Sequence, residues 1–235
     1  MSDPLAPGAS DIGEYLVSCR SFDEYRAMFG LTDDDLAGRV LDCPGGGAGF
    51  TAVARGIGVR AVAADPVYAT APEELLARLR EELERGSAWT RAHASRYVWS
   101  AYAGGPEEHA RVRAEAAGLF ATDLLARPDG YVAAALPHLP FADDSFDLVL
   151  SSHLLFTYAD RIDTAAHEAA LRELVRVSRG RVLVYPLVDQ AGRAVPDLVD
   201  RLSAALGADG VRVRVRGTDY EFQRGARQLL ELSRP

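Results

Sequence analysis

Two carboxylates and one imidazole stand at the ends of apolar runs, where a polar group adjoins a buried element and can meet a ligand. Asp42 belongs to the run Arg39-Val-Leu-Asp-Cys43, which leads into Pro44-Gly-Gly-Gly-Ala-Gly49. Asp65 closes the run Val59 to Ala64, and His153 follows Phe146-Asp-Leu-Val-Leu-Ser151. Gly45, Gly46, Gly47 and Gly49 have no Cβ, so backbone there can approach a ligand closely and adopt positive φ. A Walker loop needs Gly-Lys-Ser/Thr, and the chain contains no lysine. A nicotinamide fingerprint GxGxxG beginning at Gly45 fails at its last position, where Phe50 stands. The reading that survives uses Asp42: an acid before the glycines repels a pyrophosphate and suits a ligand carrying a cationic amine and sulfonium. His153 titrates near neutrality when unperturbed, which suits a general base for an alcohol or protonated amine. The bland alternative is a histidine bonded to backbone at a helix start.

These residues need a scaffold that gathers strand ends. The strand, glycine loop, helix from Phe50 to Arg55 and second strand form a βαβ crossover. Residues 1–10 read as a mobile tail. A helical pattern then runs through Met28, with a Ser21/Glu24 capping box and Gly30 as its stop, and Thr32 before three aspartates reads as a second helix start. Residues 72–127 are helical in pattern, broken at Gly104-Gly105-Pro106, and longer than one crossover helix requires, so they include an insertion. Strands follow near Tyr131–Ala134, at Phe146–Ser151 and at Arg181–Leu187, with helices at Thr164–Ser178, stopped by Gly180, and Pro196–Leu206. Val211–Val215 and a strand within Tyr220–Leu232 close the chain, with Gly217-Thr-Asp219 short enough to join an antiparallel pair. The expectation is an α/β chain, a mostly parallel sheet covered on both faces, in a single domain over residues 11–235 with residues 11–38 as an N-terminal cap. Ligands in such folds sit beyond the carboxyl ends of the strands, where the glycines lie.

At this point the chain resembles the class I S-adenosylmethionine-dependent methyltransferases, whose first strand ends in D-x-G-x-G-x-G. Asp42 matches the acid and Gly46 the middle glycine, while Pro44 and Ala48 replace the other two and Gly45, Gly47 and Gly49 fall out of phase. Leu139-Pro-Phe-Ala-Asp-Asp-Ser-Phe-Asp-Leu-Val-Leu-Ser-Ser-His153 resembles the family's segment leading through strand four. The resemblance implies a Rossmann-like seven-stranded sheet of order 3-2-1-4-5-7-6, with strand seven reversed and a helical insertion between strands two and three. It implies S-adenosylmethionine as cofactor, S-adenosylhomocysteine as product, and methyl transfer to a small molecule in specialised metabolism. The cofactor residues it points to are Asp42, Pro44, Gly45, Gly46 and Gly47 in the loop and Ser151 after strand four. Asp65 would accept two ribose hydroxyl bonds. Many members carry an acid six residues before the position of Phe141; Ala135 stands there, so adenine recognition falls to backbone and apolar contact around Ala135 and Leu136. Tyr15 could cover the methionine end and Arg20 pair with its carboxylate, or the two could be packing and a surface ion pair.

Other candidates stay open. Trp89, Tyr97, Trp99 and Tyr102 could form a lid over a small organic substrate or the insertion's own core. His138 could line the cleft, whereas His93, His109 and His167 read as structural. Cys43 reads as a small apolar residue. The net charge of −8 disfavours nucleic acid, and Arg212, Arg214 and Arg216 share one face of a strand as a solvated ladder. Cys19 and Cys43 are too few for a disulfide scaffold, and no spacing suggests a metal. No leader or membrane-length apolar run is apparent, so a cytoplasmic chain is expected, with homo- or hetero-oligomers both open. Two rival functions share the fold: ring closure by intramolecular displacement, such as aziridine formation, with the cofactor as structural ligand, and a non-catalytic partner subunit of an active homologue.

Overall fold

A computed structural model describes residues 15–234; the expected tail, residues 1–10, lies outside them. Seven strands form one sheet: β1 (Arg39–Asp42), β2 (Arg60–Ala64), β3 (Tyr131–Val132), β4 (Phe146–Ser152), β5 (Ser178–Tyr185), β6 (Arg212–Gly217) and β7 (Gln228–Ser233). Their order is β3-β2-β1-β4-β5-β7-β6. Neighbours pair in parallel except β7, which runs antiparallel to both β5 and β6. The Rossmann-like sheet order expected from the resemblance is therefore the one observed.

Six α-helices cover the sheet: α1 (Phe22–Phe29), α2 (Phe50–Gly56), α3 (Pro72–Ala92), α4 (Gly105–Ala126), α5 (Thr164–Val177) and α6 (Pro196–Ala208). Alternation along the strands assigns the faces, because successive side chains point to opposite sides. Leu41, Val149, Val182 and Val184 pack with α5 and α6. Val40, Leu148, Leu150 and Leu183 pack with α1 and α2. A third cluster joins Ala63 and Tyr131 to α3 and α4 through Leu75, Leu79 and Phe120. Among the described residues no helix is long and apolar enough to cross a membrane.

Several local expectations change. The Ser21/Glu24 capping box and the left-handed Gly30 bound α1 as read, but the helix begins only at Phe22, and residues 16–21 are not helical. Thr32 exchanges bonds with Asp35 yet starts only the 3-10 turn Asp34–Leu36. The break in the long helical segment spans 93–104, wider than the Gly-Gly-Pro signal. Gly180 does not stop α5: the chain enters β5 at Ser178. Gly180 lies inside that strand, and a methyl group there would collide with the Asp147 carbonyl of β4. β6 and β7 are joined not by Gly217-Thr-Asp219 but by residues 218–227, because Tyr220, Phe222 and Ala226 turn into the core. Two backbone bonds tie that loop to the α3–α4 connection, Val98 N–H to Phe222 O at 2.7 Å and Arg224 N–H to Arg96 O at 3.0 Å, and Arg224 Nε adds a third to Ser95 O at 2.8 Å. β6 forms the sheet edge, with Arg212 and Arg214 exposed and Arg216 bonded to Glu231 at 2.6 Å.

Candidate active site

A cavity of about 720 Å³ opens at the carboxyl ends of β1, β2, β3 and β4. Pro44, Gly45 and Gly46 form one wall, Asp65 another, and Ala134 to Pro137 a third, apolar one. Residues 15–18 and Tyr158 close it: Tyr158 accepts the Leu16 N–H at 2.9 Å, and its ring lies 4.8 Å from that of Tyr15.

The glycine loop is already hydrogen-bonded within the protein. Gly45 N–H donates to Ala64 O, Gly46 N–H to Asp65 Oδ2, Gly47 N–H to Ser18 O, Ala48 N–H to Gly45 O and Gly49 N–H to Arg20 O. A phosphate cradle needs free amides, and none of these five is free. The glycines serve close approach instead. Gly46 takes φ 52°, and a Cβ on Gly47 would lie 2.7 Å from Leu79 and 2.9 Å from the Cys19 sulfur. Gly47 is thus pressed between residues 16–20 and α3 and does not line the cavity.

Asp65 faces the cavity with capacity to spare. Oδ2 accepts from Gly46 and Oδ1 from Val67, at 2.9 and 3.0 Å, and each oxygen keeps a second lone pair. Burial pushes its carboxyl upward, opposed by those two amides.

Asp42 is placed differently from expectation. It is 1% exposed beneath the loop, absent from the cavity wall, and accepts the Tyr25 hydroxyl at 3.0 Å. Burial drives its carboxyl well above the ordinary range, opposed by the Tyr25 bond. It therefore presents no anionic face to a ligand. Ser152 Oγ lies 3.0 Å from His153 Nδ1. Burial, reinforced by Arg20 and Arg113, holds His153 well below its ordinary pKa, so its ring is neutral.

His153 has φ 53° and lines two cavities at once. The second, about 160 Å³, is bounded by residues 16–20, α3, α4 and Phe222. Arg20, expected to pair with a cofactor carboxylate beside Tyr15, lines this smaller cavity and not the larger one that Tyr15 lines. Ser151 is buried on the opposite side of the strand and lines neither cavity; Ser152 is the residue at the larger one.

The comparisons with known proteins bear on this arrangement. A family model described as a methyltransferase domain matches residues 85–184. That match spans the second half of α3 through β5. An uncharacterized protein of Methanocaldococcus jannaschii is 26% identical over 216 residues, covering 92% of this chain and 94% of its own. Magnesium protoporphyrin IX methyltransferase of Synechocystis PCC 6803, solved with bound SAM, is 14% identical over 91% of each chain, with a TM-score of 0.46. A putative S-adenosylmethionine-dependent methyltransferase of Methanococcus maripaludis is 14% identical, covering 91% of this chain and 83% of its own, at a TM-score of 0.47.

The insertion aromatics divide between the two roles considered for them. Trp89 and Tyr97 line the smaller cavity, whereas Trp99 and Tyr102 pack edge-on against Phe222 at 5.5 and 5.3 Å. His109, read as structural, also lines that cavity, while His138 lines neither. His167 is buried, its ring bonded to the Asp163 and Leu155 carbonyls. Tyr25, Ser152 and Tyr158 escaped the sequence reading; the position of Ser152 next to His153 was the one available signal.

Proposed function

We propose that this chain is an S-adenosylmethionine-dependent methyltransferase for a small-molecule acceptor, with the larger cavity as cofactor site and the smaller as acceptor site. The observation that carries the reading is the loop whose five amides are internally bonded beside the carboxylate of Asp65. Such a wall disfavours phosphate and favours an uncharged, hydroxyl-bearing ribose. The apolar stretch 134–137 supports an adenine packed without a side-chain acid. Bound there, S-adenosylmethionine supplies an electrophilic methyl group. Asp65 orients the ribose, and residues 15–18 with Tyr158 exclude water. His153, at the junction, accepts the acceptor's proton through its neutral ring as the nucleophilic atom is alkylated. The net charge of −8 argues for a small molecule over nucleic acid.

Transfer of tritium from methyl-labelled S-adenosylmethionine into a panel of small hydroxylated and amino acids tests the reading. Label in product, one methylene heavier by mass, is expected. Cofactor binding with no transfer across the panel, or product formed without that mass gain, contradicts it.

A further inference from the structure

The smaller cavity has a chemical character of its own. Its lining places five side chains whose buried polar atoms lack a hydrogen-bond partner: Arg20, His109, Arg113, Thr157 and Gln190. For Arg20 the unpartnered atoms are Nε and Nη1, and for Arg113 Nη1. Arg113 is 7% exposed, with its other nitrogens engaged: Nη2 is 2.7 Å from Glu24 Oε1, and Nε donates to His109 Nε2 at 3.0 Å. That second bond determines the His109 tautomer. Arginine can only donate, so Nε2 is the acceptor and a neutral ring carries its proton on Nδ1. Burial lowers the His109 pKa to about 3, so the ring is neutral. Its unpartnered Nδ1 is therefore another donor aimed at the same space.

The charges do not cancel either. Glu24 is the carboxylate shared by the two arginines, 2.7 Å from Arg113 and 3.8 Å from Arg20. It is saturated by the Tyr102 and Tyr220 hydroxyls and the Ser21 amide. Glu82, on the far wall, pairs with Arg78 and Arg85. Two guanidinium groups against one carboxylate leave a single positive charge in excess, among donors that lack acceptors. A buried donor left unpaired keeps its full desolvation cost, and the cost is larger when the donor is charged. A monoanionic oxygen group meets both requirements together.

We propose that the smaller cavity binds a carboxylate of the acceptor substrate, held by Arg20, Arg113 and the Nδ1–H of His109. The inference rests on the reading of this cavity as the acceptor site. It makes the substrate class a small organic acid, anchored at one end so that its nucleophilic atom lies toward His153, where the two cavities meet. A phosphate dianion fits less well, since the excess is one charge.

Binding of benzoate, benzamide and phenyl phosphate to the full chain by ligand-observed NMR, with and without saturating S-adenosylhomocysteine, tests this. Benzoate is expected to bind at least tenfold more tightly than either analogue, and to do so with the cofactor product present. Arg20→Gln and Arg113→Met are each expected to weaken benzoate tenfold or more. Arg20→Gln leaves the Arg113–Glu24 pair intact and decides the matter if Arg113→Met does not fold. Equal binding of benzoate and benzamide, no benzoate binding, or indifference to Arg20→Gln overturns the proposal. Displacement of benzoate by S-adenosylhomocysteine also overturns it, because the donors then serve the cofactor's own carboxylate. Benzoate binding without any affinity for S-adenosylhomocysteine would instead overturn the cofactor reading and leave an organic-acid site.

Discussion

The Tyr25 hydroxyl donates to Asp42 Oδ1 across 3.0 Å, under the glycine loop and out of reach of solvent. The bond couples α1 to the end of β1. Tyr25→Phe keeps the ring stacked on Phe50, 4.7 Å away, and deletes only the hydroxyl. The loss strips Asp42 of its side-chain hydrogen-bond partner, since Oδ2 has none. Urea unfolding is expected to show a loss of about 1–3 kcal/mol. An unchanged midpoint would mean that the bond is not formed in solution.

The proton-accepting role assigned to His153 has a kinetic signature. His153→Ala is expected to lower kcat by about 10²- to 10⁴-fold with a tritium-transfer assay as readout. A loss confined to KM would assign the ring to binding alone.

Stability should fall as the solution is acidified from neutrality. His109 is held at about 3 and His153 well below its ordinary value, both by burial and by nearby arginines. Their folded pKa values lie below the unfolded value of about 6.5, so the unfolded chain takes up protons first. The stability they contribute is present above about pH 6.5 and is lost as the pH falls from there toward 3. Glu24, whose pKa is lowered by Arg113 and Arg20 against burial, adds its own loss only at more acidic pH. Melting temperature should therefore drop between pH 7 and 5, and His109→Leu should flatten the slope. A slope unaltered by that substitution would contradict the assignment.

Two glycines with opposite surroundings separate packing from propensity. Gly47→Ala forces a methyl against Leu79 and the Cys19 sulfur, displacing residues 16–20, and should cost about 1–3 kcal/mol. Gly118 lies within α4 with open space around its Cβ position, so Gly118→Ala should stabilise by about 1 kcal/mol. Thermal unfolding of the two variants gives the signs directly, and equal signs would refute the packing role.

The parts legible in the sequence were those written in local pattern. The apolar strand entering Pro44-Gly-Gly-Gly, the acid at position 65 and the capped α1 all depend on neighbours a few residues away. The sheet order was accessible through the Leu139–His153 segment and its resemblance. What remained hidden depends on contacts between distant segments. Residues 16–20 take the amides of Gly47 and Gly49, which a glycine count reads as free. Arg20 lines the smaller cavity because the Glu24 carboxylate, one turn along and held by Arg113 of α4, draws its charge to that side. Ser151 and Ser152 differ by one position, and strand alternation puts only the second at the cavity. Gly180 looked like a helix stop because its close approach to Asp147 on a neighbouring strand leaves no local mark.

The central claim is that the larger cavity takes an adenosyl group oriented by Asp65. Calorimetric titration with S-adenosylhomocysteine, on the wild-type chain and on Asp65→Asn, tests it most directly. The account predicts micromolar binding to the wild type and a loss of tenfold or more in the variant, which keeps the residue's shape but not its charge-assisted acceptance. No binding to the wild type, or equal binding to both, would contradict it.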